Sequence, residues 1–190
     1  MRTFLLLSWM ALPVAGVAYH YGPGQDRLVL DDVARIVATA ESAVADEDWA
    51  FAVEQYGQAI AKLPEGHSDV SRVLRLERAK AQMNAQELPS AARDLESLVD
   101  ELDGDASAPS QLKAEGRRAL ANSQFYMTWL LRLEGKTRAE WEPQIEAARQ
   151  NYRLLAESTD SATEKQDLEA AIRLERLELE DLQGLPLPSQ

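Results

Sequence analysis

Two stretches of this chain repeat one another at a constant offset of 39 residues, and that offset narrows the possible folds more than any other feature. Trp49-x-x-Ala52-x-x-x-Tyr56-x-x-Ala59-Ile60-x-x-Leu63 matches Leu88-x-x-Ala91-x-x-x-Leu95-x-x-Leu98-Val99-x-x-Leu102. A third copy, Ile145-x-x-Ala148-x-x-x-Tyr152-x-x-Leu155, follows later. Apolar residues three and four apart mark one face of a helix. Small residues Ala40 and Ala79 stand twelve positions before the first two matched alanines, each on the preceding predicted helix. A small residue lets two helices approach, and a large one four places on fills the groove between neighbours. Helix pairs of this kind bury their apolar faces only by stacking.

Composition agrees with a helical reading. Ala, Leu, Glu, Arg and Lys number 29, 27, 19, 15 and 5, half of the 190 residues, and β-branched residues are few. Breakers place helices at 31–46, 48–63, 69–86, 89–102, 110–133, 139–157 and 162–183. Pro64-Glu65-Gly66 ends the second, Pro89 suits the first turn of the fourth, and Gly135 follows the fifth. Thr137-x-x-Glu140 and Ser161-x-x-Glu164 have the spacing of capping boxes. Pro143 is expected to kink the sixth helix or to mark its start.

The chain opens with Met1-Arg2 and an apolar run from Thr3 to Ala18, interrupted by Pro13 and ending in small residues. Residues 1–18 therefore read as a secretory signal peptide cut after Ala18, or as an uncleaved N-terminal membrane anchor. Pro13 and the small residues favour cleavage; Tyr19, His20 and Tyr21 suit an aromatic belt if the anchor is kept. Either reading exports the rest of the chain to the periplasm or another extracytoplasmic compartment, with membrane contact only through residues 1–21. Residues 19–30 are expected to form a turn-rich spacer, 31–157 the helical repeats, and 158–190 a capping helix and tail.

Function classes fall away on chemistry. The absence of cysteine removes disulfides, thiolate catalysis and cysteine-ligated metals. His20 and His67 have no visible second ligand, so no metal site or cofactor is expected. A net charge of −12 argues against a nucleic-acid partner, because phosphate contacts need clustered Lys and Arg. Neither a phosphate-cradling glycine loop nor a nucleophile elbow is present. The chain is not expected to be an enzyme.

The segment Asp48-Trp49-Ala50-Phe51-Ala52-Val53-Glu54-Gln55-Tyr56-Gly57-Gln58-Ala59-Ile60-Ala61-Lys62-Leu63-Pro64 resembles the second helix and closing proline of a tetratricopeptide repeat. The likeness covers about residues 31–157 in three pairs. It departs from the family in its 39-residue period, in alanine for glycine at 40 and 79, and in keeping only Pro64 as a closing proline. Residues 125–135 with Trp141-Glu142-Pro143 are also similar to exported bacterial helical-repeat proteins, a likeness that implies no chemistry. The resemblance implies an all-α, antiparallel helix-pair solenoid of about three pairs plus a C-terminal capping helix. It also implies ligands in a groove lined by the first helices of the pairs. Carried over by position, that lining is Lys80, Asn84, Gln124 and Thr128.

Residues 125–133 are the densest apolar stretch, with Thr128 and Arg132 alone sharing the remaining face. They are expected to be a core helix packed on both sides, or, through Met127 and Trp129, a surface that receives a partner. Trp141 is expected to staple the following corner or to stand exposed. Leu168, Ile172, Glu175, Leu179 and Leu182 form a heptad-like seam with Arg149 or Arg153 as partner for Glu175. That seam caps the array or joins two copies of the chain into an oligomer. The resulting expectation is a protein-interaction adaptor of the bacterial cell envelope, binding a peptide segment or helix; the alternative is a structural subunit assembled through the last helix.

Overall fold

A computed structural model describes residues 23–159 and 161–177 of the protein. Seven α-helices follow one another: α1 Pro23–Ala45, α2 Trp49–Lys62, α3 Ser68–Asn84, α4 Leu88–Gly104, α5 Ser110–Leu133, α6 Arg138–Thr159 and α7 Ala162–Arg176. No strand occurs among the described residues. Each helix packs on its neighbour in the chain, and α3 also touches α5 across α4. Neighbours run antiparallel: Arg72 near the start of α3 bonds Glu101 near the end of α4, and Arg78 bonds Asp94 between them.

The 39-residue offset is built into the backbone as well as the side chains. At the end of α1, the Asp46 and Asp48 N–H groups donate to Ser42 and Ala43, with Glu47 between them at φ 59°. At the end of α3, the Ala85 and Glu87 N–H groups donate to Ala81 and Gln82, with Gln86 at φ 65°. Residues 134–136 make the same pair of bonds to Leu130 and Leu131 around Gly135 at φ 70°. These are left-handed helix C-caps that use up otherwise orphaned carbonyls. Three hairpins, α1–α2, α3–α4 and α5–α6, thus turn by one device.

The matched positions are the core. Ala52, Ala91 and Ala148 are fully covered, and so are Leu95 and Tyr152 four residues beyond the second and third. Ala40 and Ala79 are equally buried on the partner helices. The apolar interior divides into three clusters, of α1–α2–α3, α3–α4–α5 and α5–α6–α7, with α3 and α5 shared between adjacent clusters. Gly116 supports the second junction: a Cβ there would stand 3.4 Å from Leu102 Cδ1 and 3.6 Å from Val99 Cγ2.

Several expectations need correction. Helix α1 starts at Pro23, so residues 23–30 of the spacer expected at 19–30 are helical, and 19–22 lie outside the described residues; proline's fixed φ suits a first helical position. Helix α7 ends at Arg176 instead of 183, because Leu177 turns extended and Arg132 takes the last carbonyls. Pro143 does not mark the start of α6; it lies exposed inside the helix, at the sixth helical position. Thr137–Glu140 forms its cap, with the Thr137 N–H donating to Glu140 Oε2 at 2.9 Å. Ser161 gives no side-chain cap to α7, because Glu164 turns instead to Arg118. The signal-or-anchor segment, Leu179 and Leu182 lie outside the described residues. No helix among the described residues is long and apolar enough to cross a membrane.

Candidate functional site

The second half of α5 buries polar residues beside Phe125, which is fully covered. Thr128 is fully covered and Arg132 is 8% exposed, whereas Leu130 and Leu133 are each 41% exposed. The reason is a chain of polar partners. Thr128 Oγ1 donates to the Gln124 carbonyl at 2.9 Å, and the Asn151 amide donates to Gln124 Oε1 at 3.0 Å. Arg117 donates to Asn151 Oδ1 and to Asp103, tying in α6 and the end of α4. The buried Tyr152 hydroxyl donates to Asn122 Oδ1 at 2.7 Å, and burial pushes its acidity down, raising its pKa. Arg132 donates to the carbonyls of Leu174 and Leu177 and lies 4.8 Å from the Trp141 ring centroid. A buried polar group is stable when its bonds are made, and here they are made across three helices. Residues 125–133 thus present a mixed inward face: Phe125, fully covered in the α5–α6–α7 cluster, lies beside Thr128 and Arg132, and Tyr126, Trp129 and Leu131 pack against the same cluster.

The apolar face that remains forms one wall of a cavity of about 780 Å³. Glu115, Arg118, Ala119, Asn122, Tyr126, Trp129 and Leu130 of α5 line it on one side. Lys80, Met83 and Asn84 of α3, with Gln86 and Leu88 of the following turn, line the other. Its size and mostly apolar wall with a few polar groups are those of a ligand site. Lys80 pairs with Glu77 at 2.8 Å, yet its side chain stays 41% exposed. Arg118 bonds Glu164 on α7 through Nε at 2.9 Å, and its side chain keeps 34% exposure. Two part-exposed cations, each paired with a carboxylate, and the Glu115 carboxylate thus edge the groove.

Of the residues expected at the site, Lys80, Asn84 and Trp129 come together on this cavity. Gln124 and Thr128 do not: both are buried, Gln124 accepting from Asn151 of α6 and Thr128 donating to the Gln124 carbonyl. Met127 is half-buried and lies outside the lining. Sequence reasoning missed Met83, Gln86, Leu88, Arg118, Tyr126 and Leu130. Tyr126 and Leu130 were visible only as members of the apolar stretch, and Arg118 carried no signal, since its orientation depends on Glu164 46 residues away.

Elsewhere the polar candidates are structural. Trp141 is 9% exposed and sandwiched near Arg132 and Arg138, the corner staple of the two expected readings. Glu175 pairs with Arg149 at 2.6 Å, as its position on the seam suggests. The inward seam of α7 is rotated by one residue, however: Glu164, Asp167, Ala171 and Leu174 are buried, while Leu168 and Ile172 lie half-buried at its edge. His67 begins α3 without a side-chain cap. No cluster of three metal-ligating side chains occurs among the described residues. No family model matches this chain, and no curated protein does at a significant level.

Proposed function

We propose that the protein is a non-enzymatic interaction adaptor, exported to the bacterial cell envelope, that binds a peptide segment or helix in the groove between α3 and α5. One observation carries this reading: the second half of α5 hides its polar side and presents Tyr126, Trp129 and Leu130 to a groove of about 780 Å³. Lys80 and Asn84 add an ammonium and an amide at the rim, donors suited to backbone carbonyls or carboxylates. The three like-capped hairpins and the buried small residues at matched positions support a tetratricopeptide-like helix-pair solenoid, in which the groove falls on the first helices of the pairs.

The test is selection of peptides on the purified protein from a displayed library, followed by affinity measurement with Leu130→Asp and Lys80→Glu. Both positions are part-exposed, so folding should survive within about 0.5 kcal/mol. Loss of peptide binding in each supports the groove; unchanged binding in both overturns it.

A further inference from the structure

We infer that residues 178–190 of the chain itself bind in this groove and compete with outside peptides. The inference rests on the reading of the groove as a peptide site and adds its regulation. Three observations converge on it.

The first is where the segment begins. Arg132 on α5 holds the carbonyls of Leu174 and Leu177, so the chain leaves α7 against α5. At about 100° per residue, Trp129 lies roughly 60° around α5 from Arg132, and Tyr126 and Leu130 lie beyond it in the same sense. The exit and the groove are adjacent strips of one helix.

The second is reach. From Arg132 back to Arg118, the far cation on α5, is 14 residues of helix, about 21 Å. The 13 residues from 178 to 190 extend to roughly 43 Å at about 3.3 Å each. The segment spans the groove with length to spare.

The third is chemical fit. Glu178-Leu179-Glu180-Asp181-Leu182-Gln183-Gly184-Leu185-Pro186-Leu187 carries three carboxylates and four leucines and no cation. The groove carries Lys80 and Arg118, each paired with a carboxylate yet part-exposed, and the carboxylate of Glu115; Met83, Leu88, Tyr126, Trp129 and Leu130 are its apolar wall. The apolar run 3–18 carries no carboxylate to set against the exposed parts of Lys80 and Arg118. A tethered segment also acts at a high effective concentration, so modest contacts suffice to occupy the site.

The test uses the full chain with a photoreactive benzophenone side chain at Leu185, irradiated and mapped by mass spectrometry. Expected are crosslinks within one chain to the segments holding Met83, Tyr126 or Trp129, reduced about tenfold by Leu130→Asp. Crosslinks elsewhere, crosslinks between two chains, or a yield unchanged by Leu130→Asp overturn the inference. A second measurement needs no photochemistry: Leu182→Asp with Leu185→Asp should raise acetylation of Lys80 several-fold, and no rise counts against it. The same double variant should bind a library-selected peptide about tenfold more tightly than the unaltered chain. Equal binding by both overturns the competition and leaves the adaptor reading intact. Groove crosslinks from Leu185 with no peptide bound by either chain sink the adaptor reading alone.

Discussion

The guanidinium of Arg132 donates to the main-chain carbonyl of Leu174, 42 residues further along the chain, and joins the end of α5 to the end of α7. The same group bonds Leu177 and lies over Trp141, so one side chain closes a helix, staples a corner and fixes the rotation of α5. Its burial at 8% exposed makes those bonds costly to lose. With α5 turned in this way, Phe125 lies in the core and Tyr126, Trp129 and Leu130 line the groove.

Arg132→Met should therefore cost about 3 kcal/mol, since it orphans helix-terminal carbonyls and removes a cation–π contact. Hydrogen exchange in α7 should accelerate far more than in α2. A uniform acceleration across all helices would show that Arg132 supports the whole fold and not the last junction.

Much of this architecture is legible in the sequence, and the rest is hidden for identifiable reasons. The alanines at 52, 91 and 148 and the large residues after them announce the packing because close helix approach needs small side chains at fixed spacing. The turns at Glu47 and Gln86 are silent, since neither carries the glycine that a left-handed residue usually demands; only their shared offset links them. The burial of Thr128 and Arg132 is invisible to any amphipathicity argument. The Arg132 bonds go to Leu174 and Leu177, which become neighbours of α5 only after α6 and α7 have folded back. The groove depends on the same rotation of α5, which is why three of the six expected site residues fall on it.

The left-handed residues offer a direct test of the repeated turn. A residue with Cβ at positive φ is strained by roughly 1–2 kcal/mol, part of which glycine's greater chain entropy offsets. Glu47→Gly should raise stability by up to about 1 kcal/mol, a gain of roughly 2–4 °C in Tm for a chain of this size. Glu47→Val, β-branched, should lower it. A stabilising valine would contradict the φ of 59°.

Acid should weaken the α3–α4–α5 junction first. Arg72 bonds Glu101 at 2.8 Å and Asp105 at 2.7 Å, and Arg75 also reaches Glu101. The Ser107 hydroxyl, with Arg72 and the Ser107 N–H, holds the Asp105 carboxyl well below the usual range. Arg72, then Arg75, lowers Glu101. Folded-state pKa values below the unfolded ones mean that the unfolded chain binds more protons as pH falls. The stability from these groups is present above about pH 4 and is lost as pH drops through the lowered folded values. The urea midpoint should fall on going from pH 6 to pH 3, and Arg72→Met should flatten that slope. An equal slope in the variant would place the acid sensitivity elsewhere.

Arg118 and Glu164 provide the sharpest energetic test, because the pair joins the groove to α7. Glu164 is 2% exposed, and its Oε2 has no hydrogen-bond partner among the described residues, so its charge depends on the bonds that Arg118 gives to Oε1. Removing one partner of such a pair strands a buried charge, typically at about 3–5 kcal/mol. Arg118→Met should approach that range, less whatever its part-exposed side chain loses to solvent screening. The double variant Arg118→Met, Glu164→Leu removes both charges and restores apolar packing, so it should recover most of the loss. A cycle of the two single variants and the double, followed by urea unfolding, should show coupling of about 1–3 kcal/mol. Additive effects would mean that α7 holds its place without this pair.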